Sequence, residues 1–412
     1  MTKRILFVDD EHMVLHGIER SLHGMKQEWH IEFLPSGAEA LEAMERQPFD
    51  VVITDMRMPG MDGAQLLKKV KERFPQTVRM ALSGQSDRAT ILRSVGPTHQ
   101  YLSKPCDVEE LKQKLVRALS LRDLLDNATL KEAVSRLETV PSFPGPYTDW
   151  NRLLQTSGSS IADAAQIISG DMGMTAKVLQ LVNSAFLGPP VQAVSSRKAV
   201  SLIGLDNLRT LTLSLRLFVP FESSEAIGRS LAGVWQHSHD CALLAQAIAQ
   251  SQGCPSDIVE AAYAGGLLHD IGILVLASAC SERYELTLRV RKEKKLSTAE
   301  SEYQTLGSTH AQVGGYLLGL WGLPEPIVEA VAWHHEPAQA KPSAFSPLIA
   351  VHVATVLHDK IDPCGTHVES DTMDEQLLDR LGLKDQLPVW MEAARQLSFG
   401  GENHGRENSA GG

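Results

Sequence analysis

Nothing limits the fold of this chain more than the run Val51-Val52-Ile53-Thr54-Asp55-Met56-Arg57-Met58-Pro59-Gly60. Four consecutive β-favouring residues without polar alternation predict a strand covered on both faces, as in parallel sheets sandwiched between helices. The Pro-Gly pair that follows breaks the chain. Asp55 is thereby delivered to the carboxyl edge of the sheet, where open α/β folds place their ligands. Two other apolar runs end in charge: Arg4 to Val8 leads into Asp9-Asp10-Glu11, and Gln100 to Ser103 into Lys104-Pro105. A fourth, Val78 to Leu82, ends at Ser83.

Acids crowded at one sheet edge repel one another unless a cation neutralises them, and an all-oxygen set suits a hard ion such as Mg²⁺. A phosphoryl group moving onto Asp55 would need that ion, with Lys104 as a second positive charge and the Ser83 hydroxyl as a hydrogen-bond donor. Helix capping after strands is the simpler reading of any one of these residues. It accounts less well for all of them in order.

At these residues the chain resembles the response-regulator receiver domain over about positions 3 to 122. The resemblance implies a doubly wound, five-stranded, flavodoxin-like parallel sheet. It matches Asp9 and Asp10 to the family's acidic pair, Asp55 to the phospho-acceptor, Ser83 and Tyr101 to the switch residues, and Lys104 to the conserved-type lysine. Asp10, Asp55 and the backbone carbonyl of Arg57 would then hold Mg²⁺. Cys106 stands where an aromatic residue is common, a difference that bears on packing.

The 412 residues exceed one ordinary core, so two or three domains are expected. Five cysteines (Cys106, Cys241, Cys254, Cys280, Cys364) lie far apart and read as thiols in a reducing cytosol. Met1-Thr2-Lys3-Arg4 leads straight into a strand, so no signal peptide fits, and no apolar run is expected to span a membrane. A cytoplasmic protein is the expectation. Residues 1–123 carry 18 basic and 18 acidic side chains, so the formal charge of −11 falls entirely on residues 124–412. An output half that acidic argues against DNA binding, which requires Lys and Arg to neutralise phosphates.

From Val108 apolar residues recur at helical spacing with no Gly or Pro until Pro141, predicting one long helix that leaves the first domain. It would transmit movement, pair with its counterpart in a homodimer, or pack on its own domain. Pro141, Pro144, Gly145 and Pro146 mark the boundary. Beyond it helices are predicted at Ile161 to Ser169, Met174 to Asn183, Ser196 to Ile203 and Asp206 to Phe218. Asp171 reads as a helix cap and Asn183 as a helix end, with a ligand contact as the lesser alternative for Asn183.

Five histidines stand out: His237, His269 beside Asp270, His310, and the pair His334-His335. Leu267-Leu268-His269-Asp270-Ile271-Gly272 sets an imidazole and a carboxylate on an otherwise apolar helix, which is costly unless they bind a metal or each other. A lone buried histidine is usually a satisfied core residue; five together favour a present or ancestral metal site. The arrangement resembles the HD superfamily of metal-dependent phosphohydrolases. With the segments Asp171 to Ser184, Ala199 to Asn207, Thr309-His310-Ala311-Gln312-Val313-Gly314 and Trp321-Gly322-Leu323-Pro324, residues from about 130 to 340 are similar to its HDOD branch.

That resemblance implies an all-α domain in which the first histidine, the His-Asp doublet and a final aspartate hold a divalent ion, Mn or Fe being candidates. Here the final aspartate is replaced by Thr355, a weak neutral ligand. The lysine that follows His-Asp-Ile-Gly in cyclic di-GMP phosphodiesterases is Ile273, and His335-Glu336-Pro337-Ala338 replaces their Gly-Tyr-Pro signature. His352, one turn before Thr355, is an alternative ligand if its helix rotates.

The expected organisation is a receiver at 1–122, its last helix and linker at 107–140, an HDOD domain at 141–340, a helical extension at 341–399 and a disordered tail at 400–412. The expected function is phosphoryl transfer to Asp55 from a histidine kinase or small phosphodonor. Asp55 would control an output domain that binds a downstream signalling protein without catalysis. The alternative is metal-dependent hydrolysis of a cyclic nucleotide second messenger.

Overall fold

In the computed structural model the described residues are all except 1, 26–27, 84–95, 126, 157, 185–191, 223–224, 362–371 and 406–412. The chain divides into two compact units: residues 1–138 with 180–193 and 316–323, and residues 139–179 with 194–315 and 324–412.

The first unit is built on five strands, β1 (Lys3–Val8), β2 (Trp29–Leu34), β3 (Val51–Asp55), β4 (Val78–Ser83) and β5 (Gln100–Ser103), all parallel in the order β2-β1-β3-β4-β5. Every residue of β3 is buried, as the unbroken apolar run requires. Helices α1 (His12–Ser21), α2 (Gly37–Arg46), α3 (Gly63–Arg73) and α4 (Val108–Leu121) flank the sheet. Asp62 and Gln65 form a reciprocal capping box at the start of α3, and Asp107 accepts from Glu110 N at the start of α4. The doubly wound sheet is the expected one, and β1 and β3 adjoin at its switch point.

The predicted single helix from Val108 is two helices. A 3₁₀ turn at Arg122–Leu124 ends the first, Leu125 is fully buried, and Asn127 caps α5 (Ala128–Ser135) by accepting from Thr129 N and Leu130 N. The apolar spacing continues across this break because α5 also packs on its own unit. Its end is fixed by Arg79, a buried guanidinium on β4 that donates to the carbonyls of Pro75, Thr77, Pro97 and Ser135. Burial pushes the Arg79 pKa down to about 9, and these carbonyl partners compensate its lost hydration.

The second unit is helical. Its central helices are α11 (Glu225–Ser251), α12 (Ser256–Leu268), α17 (Glu325–Trp333) and α18 (Pro347–Ile361), which pack on one another around Leu244, Ile248, Ala330, Val351 and Val353. The chain between the boundary and this core forms α6 (Pro144–Gln155), α7 (Ile161–Ser169), α8 (Met172–Asn183), α9 (Ser196–Ile203) and α10 (Leu205–Leu215). Further helices are α13 (Ile271–Ala279), α14 (Ser281–Lys294), α15 (Thr298–Leu306), α16 (His310–Leu320), α19 (Glu375–Arg380) and α20 (Leu387–Gly405). The last of these runs six residues, 400–405, into the segment expected to be a disordered tail.

One sequence expectation fails on length and composition. Ser256–Ala279 is long and apolar enough to cross a membrane, but 83% of its apolar window is buried inside the protein. It is a core segment, and His269-Asp270 interrupt it.

Candidate phospho-acceptor and metal sites

At the carboxyl edge of the sheet Lys104 reaches two acids at once. Its Nζ donates to Asp9 Oδ2 at 2.8 Å and pairs with Asp55 Oδ1. Burial opposes the lysine's charge, yet the two carboxylates hold its pKa above the ordinary value. The remaining oxygens are engaged by backbone: Glu11 N donates to Asp9 Oδ1 at 2.9 Å, and Arg57 N to Asp55 Oδ2 at 2.7 Å. Asp10 is exposed beside them. A Cβ at Gly63 would stand 2.1 Å from the Asp55 carbonyl oxygen, so only glycine lets α3 start this close to the acid.

Of the expected residues, Asp9, Asp55 and Lys104 meet directly, with Arg57 contributing backbone. Tyr101 is buried on β5. The Ser83 side chain lies outside the described residues; its backbone pairs with Ser103, next to Lys104.

The second unit gathers its histidines into a continuous chain of rings. Centroids run from His358 to His237 at 4.8 Å, to His269 at 5.1 Å, to His334 at 5.0 Å, to His335 at 3.8 Å, and from His335 to His310 at 4.9 Å. All five expected histidines are present and a sixth, His358, joins them.

Their backbone settings explain the convergence. His269-Asp270 lie at the junction between α12 and α13, not within one helix as expected: His269 caps α12 and Asp270 precedes α13. A Cβ at Gly272 would sit 1.9 Å from His310 O, so this glycine admits the start of α16 against the doublet. His334 follows the end of α17 as expected.

Each ring is aimed by its other nitrogen. His269 Nδ1 bonds Gly266 O at 2.7 Å and His334 Nδ1 bonds Val331 O at 2.9 Å. A carbonyl can only accept, so both rings carry hydrogen on Nδ1 and turn Nε2 into the cluster. Both Nε2 atoms are buried and lack a hydrogen-bond partner. Buried Glu302 accepts from His310 N and from His310 Nδ1, each at 2.7 Å. Burial disfavours a charge on His310, but Glu302 and Asp270 raise its pKa well above the ordinary value. Burial and the neighbouring imidazoles push His334 well below.

The spacing fits a metal. His335 Nε2 and His310 Nε2 are 2.9 Å apart, Asp270 Oδ1 lies 3.2 Å from His310 Nε2, and Asp270 Oδ2 lies 3.3 Å from His269 Nε2. Two ligand atoms each about 2.1 Å from one ion and at right angles are about 3 Å apart. Among the described residues, four groups have ligand atoms within 4.8 Å of one another: His237-Cys241-His269, His269-Asp270-His334, His310-His334-His335 and His237-His358-Asp359.

The alternative ligand His352 is not available to this cluster. Its Nδ1 bonds His334 O at 2.7 Å and its Nε2 accepts from Asp374 N at 3.1 Å, so it braces the backbone. Thr355 Oγ1 donates to His352 O. Sequence reasoning missed Glu302, His358 and Asp359. The last two had a readable signal, since 359 lies four residues, one helical turn, after 355.

Asp171 caps α8 as expected, accepting from Met174 N and Phe143 N, and is fully buried. Asn183 has the structural role: its side chain bonds both backbone groups of Ala193 at 2.8 Å.

Two known families match parts of this chain. The response regulator receiver domain matches residues 5–116, and the HDOD domain matches residues 140–337. An uncharacterized protein of Treponema pallidum (strain Nichols) is 26% identical over 229 residues, 55% of this chain and 44% of that protein. The DNA-binding transcriptional regulator NtrC of Escherichia coli (strain K12) is 36% identical over 114 residues, 27% of this chain and 24% of that protein. The chain thus spans less than half the length of either relative. The receiver domain of an HD domain-containing protein from Pseudomonas fluorescens Pf-5 is 30% identical, covering 30% of this chain and 98% of that chain at a TM-score of 0.29. This chain therefore carries a response regulator receiver domain followed by an HDOD domain.

Proposed function

We propose that the chain is a phosphorylation-controlled regulator in which Asp55 is the acceptor. The observation that carries this reading is the placement of Lys104 between Asp9 and Asp55 at the strand edge. A carboxylate oxygen of Asp55 attacks the phosphorus of a kinase phosphohistidine or a small phosphodonor; the P–O bond forms as the donor's bond to phosphorus breaks, and its electron pair leaves with the donor. Lys104 stabilises the phosphoryl oxygens as charge spreads over them. The exposed Asp10, together with Asp55 and the Arg57 carbonyl, is the oxygen set suited to Mg²⁺. When bound, that ion would neutralise further phosphoryl charge.

In the output half, the HDOD domain acts as a signalling module that binds a downstream protein, with Ile273 and the absent Gly-Tyr-Pro signature weighing against hydrolysis. A second reading, hydrolysis of a cyclic dinucleotide by an HD-type metal centre, is favoured by the buried Nε2 atoms of His269 and His334, which lack a hydrogen-bond partner.

Incubation with acetyl phosphate and Mg²⁺ should yield one hydroxylamine-labile phosphate per chain in the wild type and none in Asp55→Asn. Phosphate retained by Asp55→Asn would refute the assignment. Turnover of cyclic di-GMP with added Mn²⁺, lost in Asp270→Ala, would establish the second reading in place of the first.

A further inference from the structure

In the HD pattern the final acidic ligand belongs at the position of Thr355, and the cluster was expected to lack it. We propose that Asp359, one helical turn further along α18, supplies this acid, so that a divalent transition-metal ion is held by His237, His358 and Asp359, whose ligand atoms lie within 4.8 Å of one another, next to His269 in the chain of rings. This rests on reading the histidine chain as a metal centre and adds the identity of its displaced ligand.

Three observations converge on Asp359. First, its Oδ1 lies 3.8 Å from His237 Nδ1, and its side chain is 9% exposed. His358 Nδ1, on the same turn, is 3.1 Å from the same nitrogen. A carboxylate drawn this far from water among imidazoles suits a cation that all of them share. Second, the two other candidates on α18 are occupied: Thr355 donates back into its own helix, and His352 uses both ring nitrogens on backbone. Third, His269 Nε2 is a buried donor atom without a hydrogen-bond partner, in the ring next to His237.

Helix geometry explains how the acid moves without loss of the site. Residues four apart lie on one face, about 6 Å apart along the axis. An acid at 359 in place of 355 therefore shifts the negative charge along α18 and leaves it facing α11, which carries His237. The shift is toward a cleft of about 310 Å³ lined by Gln236, Asp240, Leu244, His358 and Ile361. His358, whose Nδ1 meets His237 Nδ1, lines that cleft. The mixed imidazole and carboxylate donors suit Mn²⁺, Fe²⁺ or Zn²⁺ better than Mg²⁺ or Ca²⁺.

The test uses the full chain purified without chelators, with metal analysis and Mn²⁺ titration by calorimetry. Asp359→Asn should weaken Mn²⁺ binding on the order of 100-fold, while Thr355→Ala stays within about twofold. The double variant Asp359→Asn/Thr355→Asp should recover most of the affinity, and Asp359→Glu should retain an oxygen donor. The recovery keeps the test decisive if Asp359→Asn alone folds poorly. Wild type that takes up no Mn²⁺, Zn²⁺ or Fe²⁺ would overturn the metal centre and the ligand assignment together. Binding by the wild type that Asp359→Asn leaves unchanged, or that Thr355→Ala weakens, would overturn the ligand assignment alone.

Discussion

At the sheet edge Asp9 and Asp55 share a lysine that the protein itself provides, whereas in the helical unit Asp270 and Asp359 stand among imidazoles, with the buried Nε2 atoms of His269 and His334 lacking a hydrogen-bond partner. The first arrangement is partly neutralised as it folds, with an exposed acid, Asp10, left for an exchangeable ion. The second has its donors aimed from behind by carbonyls and by Glu302, which prepares them for a cation the chain does not contain. A site with its own cation suits transient phosphoryl chemistry; a site without one suits a resident metal.

Replacing Lys104 breaks that contrast most forcefully. Lys104→Ala should slow phosphorylation by acetyl phosphate about 100- to 1,000-fold, by removing a preorganised positive charge from the phosphoryl oxygens. Mg²⁺ affinity should hold or rise, because the two acids lose their internal counter-ion. A parallel fall in Mg²⁺ affinity would mean that Lys104 merely shapes the pocket. Rate and affinity measured on the same preparations distinguish the outcomes.

The two regions were unequally legible in the sequence, for a physical reason. Strand ends in a parallel sheet fall on one edge, so Asp9, Asp55 and Lys104 could be brought together from three apolar runs alone. Helical ligands converge through packing between elements, and a pattern of spacings gives no depth. His237, His269, His310, His334 and His335 were visible as types, and all of them meet. Glu302 was hidden because an acid on α15 reads as a solvated face until it proves buried. Asp359 was hidden because the pattern marks position 355 alone, and an acid one turn further along the same face carries no signature of its own. The linker failed for another reason: apolar spacing reports which side is buried, and both helices bury theirs, so the break at Leu125 left no trace in the periodicity.

A smaller effect concerns a buried acid with no cation at all. Asp171 is held by backbone N–H groups at the start of α8, and burial raises its pKa from the ordinary 3.8 to about 6 despite those bonds. The folded chain therefore binds this proton more tightly than the unfolded chain does. Its stabilising contribution is complete below about pH 3.8 and is lost as pH rises through about 6. Relative to Asp171→Asn, the wild type should lose stability on the order of 3 kcal/mol between pH 4 and pH 7, measured by urea unfolding of both proteins across that range. A difference that stays flat with pH would show that the N–H groups alone keep the carboxylate ionised.

The smallest effect probes the support behind the metal ligands. Glu302 holds His310 through both its backbone N–H and Nδ1, and its negative charge makes the opposite nitrogen more basic. Glu302→Gln keeps the size and one acceptor but removes the charge, so the ring stays oriented while its donor strength falls. Mn²⁺ affinity at the separate group His310-His334-His335 should drop about tenfold, with the thermal unfolding of the metal-free protein little changed. A large loss of metal-free stability with unaltered affinity would make Glu302 a packing element. It would also narrow the contrast with the sheet edge, since the helical unit would then hold its histidines by backbone carbonyls alone.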